Sequence, residues 1–294
     1  MNFIDISNWQ NGIDLALMFK ENPLDGVIIK ATENTGYINP NFKTWAEWLE
    51  DNGKLWGAYH FCAGADAKAE AKWFYATIKH YIGKCVPFAD YEGDVLHKGT
   101  VWLKEFLDEF HRLSGVRPLI YCSQSVTQSQ NFTEIAKAGS GLWMAQYADF
   151  SPVYGFLEKP WHSGSVAPFN GYHIQQYTSC GVLKGWRSYL DLDKFYGTAE
   201  DWKALCGSGE GVEIPPSVNL KGPDPVVVSE VLANKYGVGA EREERLVNAG
   251  YDPDKVQKKI NTLYTIAEKC AAFCAGNKTY LNSIVKIIRT MLKE

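Results

Sequence analysis

The chain has 294 residues, of which 46% are hydrophobic, 22% charged and 14% aromatic, with a formal net charge of −4. That composition excludes collagen-like, coiled-coil and low-complexity chains, and it suits one large barrel or a mid-sized domain with a smaller companion. No stretch approaches the roughly 18 apolar residues of a membrane-spanning helix; even Val27-Ile28-Ile29 stops at Lys30.

The chain opens on Phe3-Ile4-Asp5-Ile6-Ser7, a short apolar run carrying one acid. Similar runs follow at Gly26 to Lys30, Leu55 to Tyr59, Cys85 to Asp90, Pro118 to Tyr121 and Leu142 to Ala145. Amphipathic helical patterns lie between them at 41–52, 65–81 and 99–114. Strand followed by helix, repeated, predicts parallel strands and an α/β fold, an irregular TIM-like (β/α) barrel over residues 1–206. The active site of such a barrel forms at the C-terminal strand ends.

Those ends are acidic. Asp5 belongs to the first strand, Asp90 and Glu92 close Phe88-Ala89-Asp90-Tyr91-Glu92, and Asp191 and Asp193 lie in the late run Tyr189-Leu190-Asp191-Leu192-Asp193. Residues i and i+2 of a strand project from one face roughly 6.5–7 Å apart, which aims Asp90 and Glu92 the same way. Clustered carboxylates raise the pKa of the least hydrated member, and glycoside hydrolysis needs such an unequal pair. Tyr59, Tyr121, Trp143 and Tyr147, at or just past strand ends, offer aromatic faces for sugar rings.

All ten tryptophans precede residue 203, and composition changes near Cys206. A Gly/Pro-rich stretch at 207–225 reads as an interdomain linker. Beyond it, 226–294 is predicted as a small all-α domain. Its short helices are Val226 to Tyr236, closed by Gly237, and Ala240 to Ala249, closed by Gly250; a third is opened by Asp252 with Pro253 in its first turn. Farther on, Tyr280, Ile284, Ile287 and Met291 form an apolar stripe that either packs on these helices or joins copies of the chain. From residue 221 onward the charge is +3, against −7 before it.

The seven cysteines contain no C-x-x-C pair and read as free thiols, with only Cys270 and Cys274 spaced to bond across a helical turn. The six histidines show no H-E-x-x-H spacing, which argues against a zinc amidase, and no glycine-rich phosphate loop precedes a helix. The expectation is no metal, no cofactor, and neither nucleic acid nor membrane as a partner. The N-terminus has no basic segment followed by an apolar one, so no secretory signal is expected.

Seven ordered motifs resemble the glycoside hydrolase family 25 lysozymes, the Chalaropsis-type muramidases common as phage endolysins. They are Phe3-Ile4-Asp5-Ile6-Ser7, Gly26 to Glu33, Gly57-Ala58-Tyr59-His60-Phe61, Asp90-Tyr91-Glu92, Leu142 to Tyr147, Gln176-Tyr177-Thr178-Ser179 and Leu190-Asp191-Leu192-Asp193. The resemblance implies an eight-stranded irregular barrel that cleaves the β-1,4 bond between N-acetylmuramic acid and N-acetylglucosamine. Glu92 matches the general acid, and Asp5, Asp90 and Asp191 match the other central acids. Lys30, Tyr59, Tyr121, Trp143, Tyr147 and Gln176 match substrate-lining positions. Two positions depart from the pattern: Gln175 stands where Trp usually precedes Gln-Tyr-Thr, and Asp193 where Asn is commoner.

The segment from Lys235 to Gln257 is similar to the helical cell-wall-binding repeat of some phage lysins, with Arg242 and Arg245 as candidates for contacting the wall polymer. Together the resemblances imply an endolysin made in a bacterial cytoplasm, reaching peptidoglycan once the membrane is breached. The alternative is a non-catalytic glycan-binding barrel. It would keep the aromatics but has no need of four converging acids.

Overall fold

Short apolar runs buried on both faces build the strands, and in the computed structural model, which describes residues 1–207, 224–253 and 255–263, they close on themselves. The strands are β1 (Asn2–Ile6), β2 (Gly26–Glu33), β3 (Tyr37–Ile38), β4 (Leu55–Phe61), β5 (Val86–Asp90), β6 (Leu119–Ser123), β7 (Leu142–Ala145), β8 (Val153–Tyr154), β9 (Ile174–Val182) and β10 (Leu190–Phe195). The helices of the same region are α1 (Leu15–Glu21), α2 (Phe42–Asp51), α3 (Ala67–Ile78), α4 (Gly99–Ser114), α5 (Gln124–Ser129), α6 (Thr133–Lys137) and α7 (Ala199–Cys206).

Hydrogen bonding runs in the order β1, β10, β9, β7, β6, β5, β4, β2, and a β1–β2 pairing closes the ring of eight. The five runs expected to be parallel strands are β2, β4, β5, β6 and β7, paired in parallel. The last strand differs. β10 is antiparallel to both β9 and β1, so the end it brings to the mouth of the barrel is its N-terminal one, where Asp191 pairs with Asp5.

Alternation gives the ring two cores. The outward set, including Ile4, Val27, Ile29, Ala58 and Ile120, packs under the helices. The inward set fills the barrel with Phe3, Ile28, Tyr59, Phe88, Tyr121, Trp143 and Phe195. Space for these rings comes from glycine on the same inward face. A Cβ at Gly26 would lie 2.2 Å from the Phe3 ring, and one at Gly57 would lie 2.5 Å from the Phe88 ring.

The closed end of the barrel is stoppered by α7. Trp202 stacks on Phe3 with centroids 4.1 Å apart, and its indole N–H donates to the Trp56 carbonyl at 3.1 Å. Its helix starts at Thr198, whose hydroxyl accepts from Asp201 N in a reciprocal capping box. Of the expected helices, 99–114 has the bounds of α4, 41–52 contains α2, and 65–81 is α3 followed by a 3-10 turn at Lys79–Tyr81.

By packing, the described residues form two compact units, 1–160 with 166–207 and 161–165 with 224–263. The second holds α8 (Pro225–Leu232), α9 (Ala240–Asn248) and a further helical stretch over 255–263. Asp224 Oδ1 accepts Val227 N at 2.9 Å and Asp252 Oδ1 accepts Lys255 N at 3.0 Å, so each caps its helix. α8 ends earlier than Tyr236, because Asn234 takes the left-handed conformation at φ 58 that terminates helices. Val227, Val228, Val231, Leu246, Val256 and Ile260 form its core. The stripe from Tyr280 to Met291, the pair Cys270 and Cys274, and most of the linker lie outside the described residues.

Candidate active site

The mouth of the barrel is a cleft of about 320 Å³. Asp5, Lys30, Tyr59, Asp90, Glu92, Tyr121, Trp143, Tyr147, Gln176 and Asp191, the ten residues singled out in the barrel sequence, all line it. They come from β1, β2, β4, β5, β6, β7, β9 and β10, so each strand of the ring delivers at least one.

The acids differ sharply in surroundings. Asp5 and Asp90 are buried, Asp191 is half-buried, and Glu92 is exposed at the rim. β5 ends at Asp90, yet the chain stays extended through Glu92 (φ −146, ψ 174), which keeps alternation going: Tyr91 turns into the helix-side core while Asp90 and Glu92 face the cleft.

Burial pushes the Asp90 carboxyl well up, reinforced by the charge of Glu92 and opposed by Lys30. Partial desolvation raises Glu92, and Lys30 again pulls the other way. Asp191 is raised to about 6 by burial and by Glu92. Asp5 is raised well above the ordinary carboxyl range by burial, then by Asp191 and Asp193. All four carboxyls are thus shifted toward the protonated form, the direction that acid catalysis requires.

Gln176 ties the polar floor together. Its Nε2 donates to Asp5 Oδ2 at 2.7 Å, while its Oε1 accepts from the hydroxyls of Tyr121, at 2.8 Å, and Tyr147. Trp143 packs edge-on against Tyr121 (4.6 Å) and Tyr59 (6.4 Å). These three rings are buried walls whose edges reach the cleft, whereas Tyr147 is half-buried against Phe150 at 5.9 Å.

Three cleft-lining residues, Ser7, Trp9 and Phe61, are not among the candidates read from the sequence, and Asp193, read there as a strand-end acid departing from the family pattern, lies wholly buried beneath the cleft. Trp9 is 85% exposed. Its sequence signal is the Ser-x-x-Gln of Ser7 and Gln10 at the end of β1, a capping box that holds the turn at Asn8–Gln10. Gln175, one of the two departures, points away from the cleft and accepts from the Tyr196 hydroxyl at 2.9 Å.

In the second unit, Arg242 lines a separate cavity of about 160 Å³ with Val231, Leu232, Asn234, Gln257 and Ile260. Its guanidinium donates to the Gly237 carbonyl (3.0 Å) and to Gln257 Oε1 (3.1 Å). Arg245 is exposed and pairs with Glu241 at 2.5 Å, outside that cavity.

Comparison with known proteins fits this geometry. Residues 4–186 match glycosyl hydrolases family 25. The chain belongs to that family. As a member of family 25 it is a glycoside hydrolase, and its barrel is the family's catalytic fold. Residues 226–264 match the CW_7 repeat. The family 25 chain is 25% identical over 269 residues to the lysozyme of Streptococcus phage Cp-7, covering 89% of this chain and 69% of that one. It is 28% identical over 138 residues to the N,O-diacetylmuramidase of Chalaropsis, covering 41% and 65% respectively. The bacterial lysozyme structure from Streptomyces coelicolor shares the fold, with a TM-score of 0.57 at 22% identity over 70% of this chain and 96% of that one.

Proposed function

We propose that this family 25 hydrolase is a muramidase, cutting the β-1,4 bond between N-acetylmuramic acid and N-acetylglucosamine, and that its CW_7 unit holds it on the cell wall. The observation that carries the reading is the convergence of exposed Glu92, half-buried Asp191 and buried Asp5 and Asp90 on one aromatic-walled cleft. The relatives named lysozyme and muramidase support the choice of polymer.

In this reading Glu92 is the acid. Standing at the rim, it reaches the leaving oxygen of a bound glycan, and the sugar displaces water from it, which favours the protonated form. Asp90 beneath it and Asp191 across the cleft oppose its ionisation and stabilise the oxocarbenium-like transition state. Lys30, Tyr59, Tyr121, Trp143, Tyr147 and Gln176 shape the sugar subsites. In the CW_7 unit the cavity beside Arg242 is the better candidate for a wall contact than Arg245, whose charge is paired.

The test adds the parent protein and Glu92→Gln separately to purified Gram-positive peptidoglycan, following turbidity and new reducing ends. Muramic-acid reducing ends from the parent, reduced about 10²–10⁴-fold in the variant, are expected. Wall binding without reducing ends from either protein overturns the reading in favour of a glycan-binding barrel. Proton NMR of the first-formed anomer decides the stereochemistry. A retained anomer fits participation of the substrate's own acetamido group, and an inverted one excludes it.

A further inference from the structure

Asp193 is the one acid of the late Asp-Leu-Asp run that does not line the cleft, and it is wholly buried. One of its oxygens, Oδ1, accepts the Trp143 indole N–H at 2.8 Å. The other, Oδ2, is buried and, among the described residues, receives no N–H or neutral O–H donor. A half-satisfied buried carboxylate is costly, so what that oxygen faces matters.

The register supplies the neighbour. β10 is antiparallel to β1 with Asp191 opposite Asp5 and Asp193 opposite Phe3, which makes Asp5 and Asp193 diagonal neighbours on the inward face. On the other side Asp193 stands opposite Gln176, whose amide donates to Asp5 Oδ2. Two carboxyls facing each other in a dry barrel repel unless one proton lies between them, and then they bond strongly.

We propose that Asp193 is a positioning residue of the active site: it holds the Trp143 indole through one oxygen and shares a single proton with Asp5 through the other. The pair thus carries one negative charge instead of two, and a wall of the cleft is locked to its acidic floor. Donors then converge on the pair from both sides, Trp143 N–H on Asp193 and Gln176 N–H on Asp5, with Tyr121 and Tyr147 hydroxyls behind Gln176.

Electrostatics agree with the sharing. Each of the two carboxyls is raised well above the ordinary range, burial being the largest cause for both, and the contact between them raises Asp5 while lowering Asp193. The groups that face Asp193 are Asp5 from β1, Asp191 on its own strand, Trp143 from β7, Gln176 and Tyr177 from β9, and Tyr147 beyond β7. Loss of the shared proton adds a second charge under Asp191 and Glu92 and drives the two carboxyls apart, which loosens Trp143.

The test uses the Trp143 indole N–H as a reporter in proton–nitrogen NMR of the full chain, its resonance assigned with Trp143→Phe. It does not depend on the muramidase reading, so the two can fail separately. In the parent protein the resonance is expected to move with pH as the pair loses its proton. In Asp5→Asn the step moves to lower pH, because Asp193 then ionises beside a neutral amide. In Asp193→Asn, which keeps an acceptor for the indole, the step disappears. Coincident midpoints in the parent and Asp5→Asn, a flat profile in the parent, or a surviving step in Asp193→Asn overturn the proposal. Should Asp193→Asn fail to fold, as judged by its near-ultraviolet dichroism, the comparison of the parent with Asp5→Asn still decides. A kinetic arm reads the same proton. The alkaline limb of kcat/KM falls with the loss of two protons in the parent and of one in Asp193→Asn, whereas identical slopes count against the shared proton.

Discussion

The Lys30 ammonium lies 2.7 Å from Glu33 Oε2 and 4.6 Å from the centre of the Phe61 ring, its side chain only 12% exposed. It is the cation that opposes proton retention on both Asp90 and Glu92. Glu33 competes with those acids for it. Lys30→Met is therefore expected to move the alkaline limb of kcat/KM to higher pH, since Glu92 holds its proton longer. Glu33→Gln, which leaves the ammonium to the cleft, is expected to move it to lower pH. Shifts in the same direction for the two variants would show that Lys30 does not tune the acid.

Asp191 links the site to stability. Its pKa of about 6 in the fold, against an ordinary value of 3.8, means the folded state binds its proton more tightly than the unfolded chain does. The stabilisation from that proton is fully present below about pH 3.8 and is lost as pH rises through about 6, an effect of about 3 kcal/mol. Buried His60 works oppositely: burial lowers its pKa, so acidification below its ordinary value of 6.5 destabilises the fold. The difference between parent and Asp191→Asn removes the His60 contribution. We expect Asp191→Asn to raise Tm at pH 7.5 by about 6–12 °C, with the gain shrinking toward pH 4, while activity falls. Thermal melts of both proteins at several pH values check this.

The barrel was legible because its interior obeys a simple period. Residues such as Phe3 and Asp5, or Ile28 and Lys30, alternate with an outward apolar set, and the acids fall at the ends of runs that are otherwise hydrophobic. What the sequence could not carry was depth. Asp90 and Glu92 read as equivalent neighbours, yet one is buried and the other exposed. Asp191 and Asp193 read as a pair at one strand end, but β10 runs antiparallel, which places Asp191 at the mouth and Asp193 one step deeper. Trp9 was missed because it sits in a turn, where no periodicity distinguishes a rim residue from an ordinary loop residue.

Trp9 is the exposed aromatic on the cleft wall, and the Ser7–Gln10 capping box fixes its backbone. A preorganised indole can stack on a sugar at little entropic cost. Trp9→Ala is expected to raise KM on polymeric peptidoglycan about tenfold, equivalent to about 1.4 kcal/mol, with kcat changed less than twofold. Trp9→Phe should recover most of the loss. A fall in kcat at unchanged KM would instead place Trp9 in the chemical step.

A second buried network supports the site from behind. The Thr32 hydroxyl donates to His60 Nδ1 at 2.8 Å, and His60 Nε2–H donates to Glu70 Oε2 at 2.9 Å, the tautomer that satisfies both partners of a neutral imidazole. Glu70 also accepts Ala63 N at 3.0 Å and Ala65 N at 2.6 Å, so one carboxylate pins the turn that leaves β4. That turn begins beside Phe61, which lines the cleft, and Cys62, whose N–H donates to the Asp90 carbonyl at 3.0 Å. Glu70→Ala strands the buried His60 N–H and two part-buried backbone N–H groups and is expected to cost about 2–4 kcal/mol in urea unfolding. Glu70→Gln keeps an acceptor and should cost about 1–2 kcal/mol. Because the turn holds Phe61 and the end of β5, Glu70→Ala should also lower kcat/KM under conditions where it is still fully folded. Full activity in the folded variant would confine this network to stability and detach it from the cleft.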